Sequence, residues 1–180
     1  MNTDNPNPLI FIVGGARSGK SSYGETLIRT FSSPKVYIAT AEVFDEEMAE
    51  RVEKHKEQRK GIFDYTIEEP LNLASVIRER KDNEILFIDC LSVFLGNLFH
   101  HNGIKNSYRE LDELYEALVD RKNTIIVISN EVGEGIVPDN EVARFYRDMS
   151  GWMNQKVASR ATTVIKMSVG IPQVLKGELP

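Results

Sequence analysis

The chain has 180 residues, with 22 lysines and arginines against 27 aspartates and glutamates, and a net charge of −5. A domain of this size buries roughly 70% of its unfolded surface, and with 41% apolar and 27% charged residues it is neither a disordered tail nor a membrane bundle. The acidic balance lacks the bulk positive field of a nucleic-acid binder, so an anionic ligand must meet a local site.

Residues 1–8 are polar and are expected to form a flexible extension, with 9–180 as a single domain. Leu9 to Val13 is a short apolar run ending in two glycines, which fits neither a secretory signal nor a membrane span. A cytoplasmic protein without stable membrane insertion is the expectation. The run reads as a buried strand, followed by a helix from Lys20 to about Phe31 that Pro34 terminates. Val36 to Ala39 is a second strand, and Asp45 to Arg59 a charged helix. Phe63 to Ile67 forms a short strand and Pro70 opens a modest helix. Glu84 to Asp89 is a clear strand, followed by an apolar helical stretch and a helix from Tyr108 to Arg121. Thr124 to Ser129 is another strand, Asp139 caps a long helix to about Arg160, and Thr162 to Val169 closes the series. Strands apolar on both faces that alternate with helices predict a mostly parallel α/β sheet covered on both sides.

Gly14, Gly15, Ala16, Arg17, Ser18, Gly19, Lys20 and Ser21 match G-x-x-x-x-G-K-[ST] in full, between a predicted strand and a predicted helix. Glycines let the backbone wrap phosphate oxygens, and the helix N-terminus adds partial positive charge. Lys20 is expected to reach the β- and γ-phosphates, and the Ser21 hydroxyl to coordinate Mg²⁺. Asp89 ends its strand where a second metal-side carboxylate belongs in this class. The lone cysteine, Cys90, excludes an internal disulfide and has no adjacent base, so it reads as a small buried apolar residue rather than a nucleophile.

In the 45–59 segment, Met48, Arg51, Val52, His55 and Arg59 share one helical sector, an odd composition for a core stripe. One arrangement that fits is a nucleophilic imidazole between phosphate-neutralising arginines. The spacing alone favours the other, a solvated helix with i,i+4 charge pairs. His100 and His101 read as surface residues, and three histidines without paired spacing argue against a metal cluster. Gly133, Gly135 and Pro138 shape the loop before the long helix. On that helix Arg144, Arg147, Asp148, Gly151 and Gln155 are expected on a polar face, opposite Phe145, Met149, Trp152 and Met153.

The segments GGARSGKS (14–21), YIATA (37–41), DEEMAERVEKHKEQR (45–59), TIEEP (66–70), DCLSVFLGNL (89–98) and NEVGEGIVPDNEVARFYRDMSGWMNQ (130–155) occur in an order that resembles a known family. It is that of the bifunctional adenosylcobinamide kinase/adenosylcobinamide-phosphate guanylyltransferases of cobalamin biosynthesis, and the resemblance runs from about Leu9 to Lys176. It implies a RecA-like P-loop fold and a homo-oligomer, trimeric in relatives. It also implies phosphorylation of adenosylcobinamide by a triphosphate (ATP or GTP), then guanylylation of a histidine by GTP and passage of GMP to adenosylcobinamide phosphate. By resemblance the guanylylated residue is His55. Ala39, Thr40, Ala41, Glu68 and the segment Lys56, Glu57, Gln58, Arg59 would line the nucleotide site, with Arg59 and Lys56 offsetting phosphoryl charge. Arg51 would do likewise or orient the helix, which is expected to move during turnover. For Glu68 a helix-start acid is an equal alternative. A guanylyltransferase without kinase activity, or a triphosphate-driven switch, are the competing readings; no N-K-x-D guanine motif is present.

Overall fold

The computed structural model describes residues 7–42, 57 and 59–179. Seven strands form one sheet in the order β3-β2-β4-β5-β1-β6-β7, parallel except for the β6–β7 pair. They are β1 (Leu9–Gly14), β2 (Lys35–Ala39), β3 (Tyr65–Glu68), β4 (Ile85–Asp89), β5 (Thr124–Asn130), β6 (Thr163–Ser168) and β7 (Ile171–Lys176). The described helices are α1 (Lys20–Ile28), α2 (Leu73–Arg78), α3 (Leu91–Asn102), α4 (Arg109–Val119) and α5 (Glu141–Arg160). The expected 45–59 helix lies outside the described residues apart from Glu57 and Arg59.

Side-chain alternation along a strand sorts the core into two layers. Leu9, Phe11, Val36, Ile38, Leu86, Ile88, Ile125 and Val127 pack towards α2, α3, α4 and α5. Ile10, Ile12, Tyr37, Phe87, Ile126, Ile128, Ile165 and Met167 face the other way, towards Leu27 and Ile28 of α1 and Ile62. Asp89 lies two residues beyond Phe87 on β4, so the period of two carries its carboxylate to the α1 side, the side on which the phosphate loop delivers its helix.

The chain leaves β1 for β2 on one side and returns from β5 to β6 on the other, so β1 sits where the winding reverses. Its register sets Gly14 opposite Asn130 of β5, and Asp89 opposite Ile128. The carboxyl ends of β1, β4 and β5 thus meet at the crevice where an open α/β sheet takes its ligand.

Some boundaries differ from expectation. Asn140, rather than Asp139, caps α5: its side chain accepts from the Ala143 amide at 2.8 Å. Trp152 is 55% exposed, because the buried face of α5 is centred on Met149, Met153 and Val157. A wheel drawn through Trp152 was therefore rotated away from the true contact face. The β7 strand was not anticipated. It is a largely exposed edge strand, which explains both its weak apolar signal and its tolerance of Pro172.

Gly24 of α1 lies against the sheet, and a Cβ there would come within 2.7 Å of Phe87 Cε2 and 3.2 Å of Ile128 Cδ1. Overpacking of this kind costs about 1–3 kcal/mol, only partly offset by the helix advantage of alanine over glycine, about 1 kcal/mol. Gly24→Ala is expected to lower the urea midpoint at unchanged m-value; a raised midpoint would show that α1 does not need this close approach.

Candidate active site

The phosphate loop turns through two left-handed residues, Arg17 (φ 57°) and Gly19 (φ 94°). Gly19 occupies the N-cap of α1 with no side-chain cap, and the first turn carries no acid. The opening amide groups of α1 are therefore left for an anion. Lys20 is only 7% exposed, and its Nζ donates to the Gly15 carbonyl at 2.6 Å, closing the loop on itself. Burial pulls the ammonium below the ordinary lysine range, while Cys90 and Asp89 pull the other way. A buried cation folded onto a loop of uncapped backbone amides is a site built for phosphate.

Beside it, Asp89 Oδ2 accepts from Arg59 Nη2 at 2.8 Å and from the Tyr37 hydroxyl at 3.2 Å. The Arg59 guanidinium lies 4.1 Å over the Tyr37 ring and donates through Nε to Glu25 of α1 at 2.9 Å. Burial alone would depress the Arg59 pKa, but Tyr37, Asp89 and Glu25 more than offset it, so the net shift is upward. The Tyr37 phenol is raised by burial and then by Asp89, and stays protonated as a donor. Neither Tyr37 nor Glu25 was picked out from the sequence. Tyr37 lies in the second predicted strand and shares its face with Ala39; Glu25 lies one helical turn beyond Ser21.

Ser21 stands half-buried in the first turn of α1. Its hydroxyl and the Asp89 carboxylate are hard oxygen donors of the kind Mg²⁺ takes together with substrate phosphates. Among the described residues no group of three or more His, Cys, Asp or Glu converges.

The segment after β2 divides by role. Thr40 is fully buried, and its Oγ1 both donates to the Cys90 carbonyl (2.9 Å) and accepts from the Cys90 amide (2.8 Å), bolting the end of β2 to the end of β4. Asn97 donates to the Thr40 and Pro70 carbonyls at 2.7 and 3.1 Å. Ala39 and Ala41 are half-buried beside this clamp, and Glu68 is exposed at the end of β3 in register with Ala39. Glu57 is exposed and pairs with Lys60. His55, Lys56 and Gln58, with Met48, Arg51 and Val52, lie outside the described residues. His101, expected as a plain surface residue, bonds Glu42 through Nε2 at 2.7 Å.

Two further segments meet the phosphate loop. The β6–β7 turn donates from the Gly170 amide to the Ser18 carbonyl at 3.0 Å. The loop after β5 donates from the Glu131 amide to the Gly14 carbonyl at 2.9 Å. That loop is pinned by Glu134 to Lys166, and by Arg144 to the Pro138 and Asp139 carbonyls, while Ile136 at its tip is 97% exposed. The Arg147 side chain of α5 pairs with its neighbour Asp148.

An uncapped glycine-rich loop, a buried lysine and a strand-end aspartate, on a mostly parallel sheet, define a P-loop nucleoside-triphosphate enzyme fold of RecA-like type. An ATPase of the type III secretion system of pathogenic bacteria superposes with a TM-score of 0.58 at 13% identity, over 93% of this chain and 56% of that one. Residues 10–175 match the family described as cobinamide kinase / cobinamide phosphate guanyltransferase, and the chain belongs to that family. It is 40% identical to the bifunctional adenosylcobalamin biosynthesis protein CobP of Pseudomonas aeruginosa, over 93% of this chain and 96% of that protein. It is 34% identical to the CobU protein of the same description from Escherichia coli, over 93% and 99%.

Cys90 is 8% exposed with its Sγ 3.1 Å from Ser92 Oγ, and burial, then Asp89, pushes its thiol pKa up. A buried protonated thiol is inert. Ellman's reagent at pH 8 is expected to leave the native protein unlabelled and to label one thiol per chain in urea. Rapid labelling of the folded protein would mean that this corner opens.

Proposed function

We propose that this enzyme performs the two transfers of its family through one phosphate cradle, with His55 as the residue that accepts the nucleotidyl group. In the first, the aminopropanol hydroxyl of adenosylcobinamide attacks the γ-phosphorus of ATP or GTP; the bond to the β-phosphate oxygen breaks and the diphosphate leaves. In the second, a ring nitrogen of His55 attacks the α-phosphorus of GTP and pyrophosphate leaves. The phosphate of adenosylcobinamide phosphate then attacks that phosphorus, the P–N bond breaks, and adenosylcobinamide-GDP forms with the imidazole restored.

The observation that carries this reading is the uncapped glycine-rich loop closed by Lys20, with β5 alone between its strand and that of Asp89, in a chain of this family. The amide groups of the loop and Lys20 hold the β- and γ-phosphates, keeping them in line with their acceptor. Mg²⁺, held by Ser21 and Asp89 with the phosphates, would offset charge on the transferring group. Arg59, four residues on from His55 in the sequence, has its guanidinium against Asp89, which supports reading this segment as part of the phosphate site. Near pH 7 much of the imidazole population is neutral and nucleophilic. The half-buried Ala39 and Ala41 and the exposed Glu68 would border the nucleoside. The trimeric assembly, Mg²⁺ as the metal, and a cytoplasmic location belong to the same proposal. Among the described residues no helix is long and apolar enough to cross a membrane.

Incubation with α-labelled GTP and Mg²⁺ is expected to leave one acid-labile GMP per chain, read as a mass gain of the intact protein. His55→Ala should abolish the label while triphosphate binding persists; a label that survives would remove His55 from the role. Lys20→Ala should slow both transfers on the order of a hundredfold, because both draw on the same positioned charge. Loss of only one would show separate cradles.

A further inference from the structure

The same Asp89 oxygen that a divalent cation would approach already carries a cation. Arg59 Nη2 lies 2.8 Å from Oδ2, the Tyr37 hydroxyl donates to that oxygen too, and all of this is secluded, with the Arg59 and Asp89 side chains 13% and 14% exposed. Lys20 adds a further positive charge nearby. A half-buried carboxylate flanked by one guanidinium and one ammonium cannot also accept a divalent ion without strong like-charge repulsion, which water screens poorly at this burial.

The surroundings of Arg59 provide a way out of that conflict. Its Nε is held by Glu25 at 2.9 Å, and its planar head lies over the Tyr37 ring. A guanidinium that lets go of Asp89 thus keeps a carboxylate and a π-face, and is not stranded without a counter-charge. Lysine would lack this option, because a fork of five donors on a rigid plane is what allows one side chain to bridge two carboxylates.

We propose that Arg59 is the resident counter-cation of Asp89, exchanged for the divalent ion as metal–nucleotide binds, and that Glu25 and Tyr37 hold the released guanidinium beside the phosphates. Arg59 then serves in turn as a guard of the metal carboxylate and as a positive group facing the nucleotide. The proposal rests on the reading of Asp89 as the metal-side carboxylate, and its test separates the two.

The probe is Mn²⁺, titrated by electron paramagnetic resonance into the protein saturated with ADP, with the chain in excess so that little Mn²⁺–ADP stays free. Arg59→Met is expected to bind Mn²⁺ at least fivefold more tightly than the natural chain, since the competing cation is gone. Glu25→Gln is expected to bind it several-fold more weakly, because the guanidinium then depends on Asp89 alone. Opposite signs from two variants of one ion pair are not what a merely structural role gives, since that role would weaken binding in both. Unchanged or weaker Mn²⁺ binding by Arg59→Met overturns the exchange. Should that variant fail to fold, the neutral Arg59→Gln replaces it, with the same tightening expected and the same overturning result. In Asp89→Asn, Mn²⁺ affinity should fall at least tenfold; if it does not, the reading of Asp89 fails, independently of Arg59.

Discussion

An enzyme that grips triphosphate must keep a set of positive groups unsatisfied until the anion arrives, and most of this structure can be understood as the support for that state. Lys20 is buried, yet among the described residues its ammonium has only carbonyl and hydroxyl partners in its own loop, and the amides that open α1 have no side-chain cap. An arrangement of this kind is unstable in isolation, since unpaired buried donors cost of the order of 1–3 kcal/mol each. It persists because its edges are tied from three directions. The Glu131 amide holds Gly14, the Gly170 amide holds Ser18, and α1 is pressed onto Phe87 and Ile128 by a glycine that admits no Cβ.

The carboxylate side is built with the same economy of position. Thr40 bonds both polar groups of the Cys90 backbone, and Tyr146 and Asn130 converge on Ser92 at the start of α3. Burial pushes the Tyr146 phenol up to about 12, so it remains a donor to the Ser92 carbonyl. Asp89 therefore projects from a backbone fixed on both sides by side-chain clamps. Its position depends on β4, and its charge balance on groups from β2, α1 and the segment at Arg59. The separation matters because a strand end can be rigid while the cations around it exchange.

The five inner strands were legible in the sequence because each is a short apolar run, and the phosphate loop because its glycines, lysine and serine fall between a strand and a helix. Asp89 was legible by position alone. What escaped was whatever depended on partners distant in the chain. Tyr37 looks like any strand aromatic until the fold sets it against Asp89, 52 residues on. Glu25 looks like an ordinary helix acid until Arg59 reaches it from 34 residues away. The part of Thr40 that the sequence does not show is its hydroxyl's engagement with Cys90, 50 residues on. The edge strand β7 gave no signal because a solvent-facing edge needs no apolar alternation, and Trp152 misled because one bulky residue at the margin of a helical stripe shifts the apparent face. The histidine of the 45–59 segment was carried by family resemblance, since spacing alone favoured a solvated helix.

The acidic charge of the whole chain and the anionic ligand of its site are compatible for a local reason. A net −5 spread over a surface is screened within about 10 Å at ordinary ionic strength, whereas groups inside the crevice interact through a medium of much lower dielectric. Among the described residues the relevant count there is Lys20, Arg59 and the end of α1 against Asp89 and Glu25. With the nucleotide absent, the two acids balance the two bases, so the site is close to neutral and the fold tolerates it. Phosphate oxygens then bring negative charge into a site whose described cations already carry partners, Lys20 on its own loop and Arg59 on Asp89 and Glu25. The arginine paired with Asp89 is the group whose placement bears most directly on that balance.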